Sequence, residues 1–218
     1  VTEPANTPSP ATAPRKPRAR ALVVAALGPV VAGVLFGGLW AWIAPPIHAV
    51  VALTRAGERV HDYLGNESEH FFDAPCLMLG LLTVLAVVAP VLGWQWRKHR
   101  GPGMVAALST GLVTAAAAAT ATGTALVRVF YGALNFDAVP LSKAPSVAYV
   151  IQAPPVFFAQ NPPQVALTLL WPAAIAALVY AVLAAADARD DLGALPPGDR
   201  SSGALPVGAG GAAEAPVS

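Results

Sequence analysis

A chain of 218 residues that is 56% hydrophobic and only 11% charged cannot close one water-soluble core, because too little polar surface remains to cover it. Its net charge of +1 gives no basic footprint for nucleic acid, and no nucleic-acid partner is expected. Four apolar stretches, 21–44, 74–93, 104–127 and 165–186, cause the imbalance, and none of them contains Asp, Glu, Lys, Arg or His.

Each stretch reaches the roughly 20 residues that a helix needs to cross the hydrocarbon core of a bilayer. The expected fold is therefore membrane all-α: a four-transmembrane-helix bundle, with the lipid bilayer as its first partner. Residues 1–20, rich in Pro, Ala and Thr, and residues 193–218, rich in Gly, Ala and Pro, hold little to bury and are expected to be disordered tails. Arg15, Lys16, Arg18 and Arg20 precede the first stretch, Arg97, Lys98 and Arg100 lie between the second and third, and Arg189 and Arg200 follow the fourth. The other two loops hold only Arg55, Arg59 and Lys143. Basic residues beside spans are retained on the cytoplasmic side, which predicts a multi-pass plasma membrane protein with both termini and the middle loop inside.

The first stretch follows a basic segment, as a signal peptide would. It is longer than a signal's apolar region and ends in bulky Trp40-Ala41-Trp42-Ile43 and then Pro45-Pro46, so it is expected to stay as an anchor. Gly33, Gly37 and Ala41 recur every four residues along it, a spacing that lets a second helix approach closely. Trp40 and Trp42 at its outer end, with Trp94 and Trp96 at the inner end of the second stretch, are placed as head-group belts.

The loop 45–73 should lie outside the cytoplasm. Residues 49–54 and 59–64 are β-tolerant runs around Arg55-Ala56-Gly57-Glu58, which predicts a hairpin with Gly57 at a positive φ. Asn66 with Glu69 three residues later fits a capping box, so the second helix is expected to start near Glu67, with Pro75 and Pro90 inside it. His61, Glu69, His70 and Asp73 are the residues a divalent metal would use. A site needs three or four ligands converging at about 2 Å, and a helix starting near Glu67 turns Glu67 and His70 away from Glu69 and Asp73, so no metal is expected. Cys76 is the only cysteine, which excludes an intrachain disulfide and suits a small buried residue.

The connection 96–103 is short and carries Gly101, Pro102 and Gly103, which predicts the second and third helices as antiparallel neighbours. In the third stretch Gly111, Ala115, Ala119 and Gly123 recur at four-residue intervals, beside Thr114, Thr120 and Thr124, whose hydroxyls can return to a carbonyl one turn back. This stripe is expected to pack helices within the chain, with a seam between two copies as its rival use. Arg128 stands at the outer edge, where Asp137 or an acid of the loop 45–73 would be its partner. The loop 130–164 contains a strand-like run at 146–151 and many prolines. A two-stranded hairpin is marginal in water, so the 147–151 segment is expected to join the hairpin in a small extracytoplasmic cap.

Ser68, Ser142 and Ser146 share these loops with His48, His61 and His70, but no G-x-S-x-G arrangement is present. No nucleotide, dinucleotide or C-x-x-C motif occurs either, so neither an enzyme nor a cofactor is expected. The charge-free spans also disfavour proton-coupled transport, which uses intramembrane ionisable groups.

The run Leu39 to Pro46, the hairpin with Gly57-Glu58, Glu69-His70-Phe71-Phe72-Asp73-Ala74-Pro75, then Ala153-Pro154-Pro155-Val156-Phe157-Phe158 and Leu170-Trp171-Pro172 together resemble an uncharacterised actinobacterial family of four-span membrane proteins, its mycobacterial members above all. The resemblance covers roughly residues 20–192. It implies a topology and a domain of unknown function, with no catalytic residue to carry over. The function expected from the residues is that of a non-enzymatic accessory or interaction protein of the bacterial envelope, engaging another membrane protein or itself. A small oligomeric transporter or channel subunit for a lipid or apolar compound is the alternative.

Overall fold

The structure, a computed structural model, describes residues 16–141 and 147–187. Its elements are α1 (Lys16–Ile43), β1 (Ile47–Leu53), β2 (Arg59–Tyr63), a 3-10 turn (Glu67–Glu69), α2 (His70–Trp94), a second 3-10 turn (Arg97–His99), α3 (Pro102–Tyr131), a third (Phe136–Ala138), β3 (Val147–Gln152) and α4 (Pro162–Ala186). All four helices are long and apolar enough to cross a membrane. The first begins at Lys16, inside the segment expected to be a tail, because hydropathy marks where a helix is greasy and not where its hydrogen bonds start. The expected tail 193–218 and Ser142 and Ser146 lie outside the described residues.

Connectivity places the ends of α1 and α3 and the starts of α2 and α4 at one end of the bundle, together with the sheet. The basic loop 97–101 and the start of α1 lie at the other. The tightest helix pair is α1 with α3, which run parallel, rather than the sequential pair α2 and α3. Small residues decide this. A Cβ on Gly33 would collide with the backbone of Ala115, one on Gly37 with that of Ala119, and one on Gly111 would lie 2.6 Å from the carbonyl oxygen of Ala26. The stripe on α3 is thus filled by α1 of the same chain and offers no free seam to a second copy. Thr114, Thr120 and Thr124 donate to the carbonyls of Thr110, Ala116 and Thr120 at 3.0, 2.9 and 2.7 Å, so their hydroxyls are satisfied within the helix.

Trp40 is fully buried, not at a lipid interface. Its indole N–H donates to the carbonyl of Ala74 at 2.7 Å, and its ring occupies the space that Gly123 leaves, with a Cβ there only 2.8 Å from the indole. One side chain therefore ties α1, α2 and α3 together near the sheet. At the basic end, Arg100 donates through Nε to the carbonyl of Trp94 at 2.9 Å, lies 4.1 Å over the Trp94 ring and pairs with Asp187 at 3.1 Å. Tyr180 accepts from the Gly101 N–H, clamping the same loop to α4.

The sheet has the order β2-β1-β3, all antiparallel, with Val51 opposite both His61 and Ala148. Gly57, at φ +83°, makes the turn between β1 and β2, where the Thr54 and Glu58 backbones pair at 2.9 Å. Ile47, Ala49 and Val51 alternate along β1 and are buried, which gives the sheet one dry face.

Candidate functional site

Two prolines lead from α1 into the central strand, and the strand's second residue, His48, meets the 3-10 turn that precedes α2. Glu67 stands in that turn, ahead of the charge-free part of α2. Its Oε1 lies 3.1 Å from His48 Nδ1, and its Oε2 lies 3.0 Å from His70 Nδ1 and accepts from the His48 backbone N–H at 3.1 Å. His70 Nδ1 also faces the carbonyl oxygen of Pro46 at 2.9 Å. A carbonyl and a carboxylate can only accept, so both imidazoles carry a proton on Nδ1.

The backbone N–H of His48 holds the Glu67 carboxyl below the usual carboxylate range, and the imidazoles of His48 and His70 act in the same direction. Because the folded-state value lies below the unfolded one, this stabilisation is complete above the unfolded value and is lost as pH falls through the folded one. Acidifying the protein from neutral pH to below the carboxylate range is expected to lower the protection of the His48 amide, its exchange rate being referred to the intrinsic rate at each pH. In Glu67→Gln that protection should already be low at neutral pH and should show no further acid step. An acid step of wild-type size in the variant would show that Glu67 is not the group responsible.

The sequence sets Glu67 and His70 apart from Glu69 and Asp73 but does not join the two to each other; the structure joins them at 3.0 Å. Asn66 makes no side-chain cap, and residues 67–69 form a 3-10 turn in which positions i and i+3 eclipse. The i, i+3 spacing of Glu67 and His70 was the available signal; the arrival of His48 from another element was not visible. The remaining metal candidates do not converge. His61 stacks on Phe136 at 4.4 Å and 13°, Glu69 and Asp73 are exposed, and among the described residues no three His, Cys, Asp or Glu side chains are placed to hold a metal ion. The arrangement is an electrostatic clasp between β1, the turn and α2.

A second tie crosses the loops. Arg59 Nη1 donates to the carbonyls of Phe136 and Val139 at 3.2 and 2.8 Å, which fastens the loop after α3 to β2. Arg128, for which the sequence suggests Asp137 or an acid of the loop 45–73 as partner, is exposed and, among the described residues, forms an ion pair with neither. Arg59, His61 and Tyr63 extend the face of Ile47, Ala49 and Val51 onto β2, where Arg59 and His61 are exposed and Tyr63 meets Phe71 edge to face at 5.2 Å. The opposite face carries Val50, Ala52, Val60, Val147, Tyr149 and Ile151, with Asp62 beside them, and Tyr149 is 75% exposed.

The chain matches the family described as a protein of unknown function, DUF2567, over residues 29–194. It belongs to the DUF2567 family. Among similar chains, an uncharacterised protein of Mycobacterium leprae is 72% identical over 177 residues, 81% of this chain and 89% of its own length. Uncharacterised proteins of Mycobacterium bovis and Mycobacterium tuberculosis are each 68% identical over 179 residues, 82% of this chain and 93% of theirs. No solved structure matches. The matched region of this DUF2567 protein includes the clasp, the sheet and all of α2, α3 and α4.

Proposed function

We propose that this DUF2567 protein is a non-enzymatic accessory protein of the bacterial envelope, spanning the plasma membrane four times and binding a second membrane protein through the outer face of its sheet. The observation that carries the reading is that face. Val60, Val147, Tyr149 and Ile151 are all exposed on a sheet whose central strand is packed on its other side. An exposed apolar patch on a rigid platform is the usual form of an interaction surface, and Tyr is favoured at the centre of such contacts. β3 also forms an edge of the sheet, where its outer backbone groups can pair with an incoming strand.

The side of the membrane follows from the same physics as the sequence expectation. Arg20, Arg97 and Arg100 gather at the end opposite the sheet, which supports a sheet outside the cytoplasm and a cytoplasmic basic end. The clasp and the Arg59 tie then hold the sheet on the bundle, so that little ordering is needed when a partner docks.

A photo-activated cross-linker at position 149 in living cells tests the reading. One discrete adduct with another membrane protein is expected, together with loss of its co-purification in Tyr149→Asp/Ile151→Asp by about 30-fold or more, the scale of a hot-spot residue. Adducts with lipid alone, or with a second copy alone, would overturn it.

A further inference from the structure

Between α1 and α2 the bundle does not close. A cavity of about 550 Å³ lies there, lined by Gly28, Ala32 and Phe36 of α1, Val88 and Ala89 of α2 and Leu108 of α3. Elsewhere small residues on α1 bring a helix into contact, as Gly33 and Gly37 do with Ala115 and Ala119. Gly28 differs: a Cβ there would meet no atom within 4 Å. The side chains that would fill the gap are absent from this chain, while rim residues Val88 and Leu92 remain 46% and 56% exposed.

Length and charge identify the occupant. From Val24 to Phe36 the cavity follows α1 for about 18 Å at helical rise, slightly more than one leaflet of a roughly 30 Å hydrocarbon core. It starts at Trp96, next to the exposed Arg97, and Arg20 lies one i, i+4 step before Val24 on the stripe that continues to Gly28 and Ala32. Asp187, the acid described at this end, is held by Arg100. A second cavity of about 600 Å³ lies between the same helices at the sheet end; neither lining contains a basic residue, but Asp73 lines the second, and arginines flank only the first in sequence. An anionic head group is attracted at the first mouth and repelled at the second.

We propose that the cavity beside Gly28 binds an acyl chain of an anionic phospholipid from the leaflet on the Arg97 side, with the phosphate between Arg20 and Arg97. The site requires the bundle to span a bilayer and is independent of docking at the sheet. The test is native mass spectrometry of the full chain in a neutral detergent, offered equal phosphatidylglycerol and phosphatidylcholine of matched chain length. One phosphatidylglycerol per chain is expected, favoured by about tenfold or more through two interfacial arginines. Gly28→Phe, which fills open space, should lose the adduct at an unchanged melting temperature. Arg20→Gln/Arg97→Gln should keep a lipid and bring the two lipids to parity. Equal binding of both lipids by the unaltered chain, or an undiminished adduct in Gly28→Phe, would overturn the assignment. A chain recovered from cells without detergent would overturn the membrane-spanning reading itself, whereas a chain that needs detergent and carries no adduct would overturn only the cavity's role.

Discussion

Truncating Trp40 to alanine is expected to cost about 3–5 kcal/mol of stability, the range for removing a fully buried large aromatic. Trp40 has no exposed surface, and its removal opens a cavity bordered by Gly123 and Met78 while the Ala74 carbonyl loses its donor. Unfolding in mixed micelles followed by helicity measures the loss. Trp40→Phe keeps most of the volume and removes the donor, so a smaller loss of about 1–3 kcal/mol is expected from the unpaired acceptor. The same geometry fixes a coupling. Gly123→Ala drives a Cβ into the indole and should destabilise the unaltered protein, but should cost less or become favourable when Trp40 is alanine, because the added methyl then enters empty space. Additive effects in that cycle would show that the two positions do not meet.

Gly37→Leu is the second large effect, with a loss of about 3 kcal/mol, at the upper end for overpacking a well-packed core. The atoms in the way belong to the Ala119 backbone, not to the tip of a flexible side chain, so no rotamer change relieves the collision. α1 must move away from α3, and the contact between Gly33 and Ala115 opens with it. Gly28→Leu on the same helix is the control and should fall within about 0.5 kcal/mol of the parent, since nothing stands within 4 Å of its Cβ. Equal losses at the two glycines would mean that a general effect of leucine on α1, and not the α1/α3 contact, sets stability.

The four helices are legible in the sequence because a charge-free run of bilayer length has few other uses. The sheet is legible because Gly57 marks its turn and because two strands alone lack a face to bury, which points to the 147–151 segment as the third. Other features depend on distances that no local pattern encodes. Trp40 sits at a helix end, where a belt residue belongs, and only the missing side chain of Gly123 on another helix lets it turn inward. His48 and Glu67 are separated by a hairpin whose turn brings them together, so neither the clasp nor its lowered carboxyl is visible from spacing. Arg59 carries no local mark of an anchor. Only the alternation of β2, which puts it on the same face as His61 and toward Phe136, brings it to the loop after α3.

The parallel contact of α1 with α3 also sets an order of assembly. α1 leaves the ribosome while the helix that covers Gly33 and Gly37 is still to be made, and α2, which arrives first, meets α1 only loosely. The first hairpin of helices therefore forms with a bare small-residue face, and synthesis of Gly111 to Ala119 is the event that lets the bundle close.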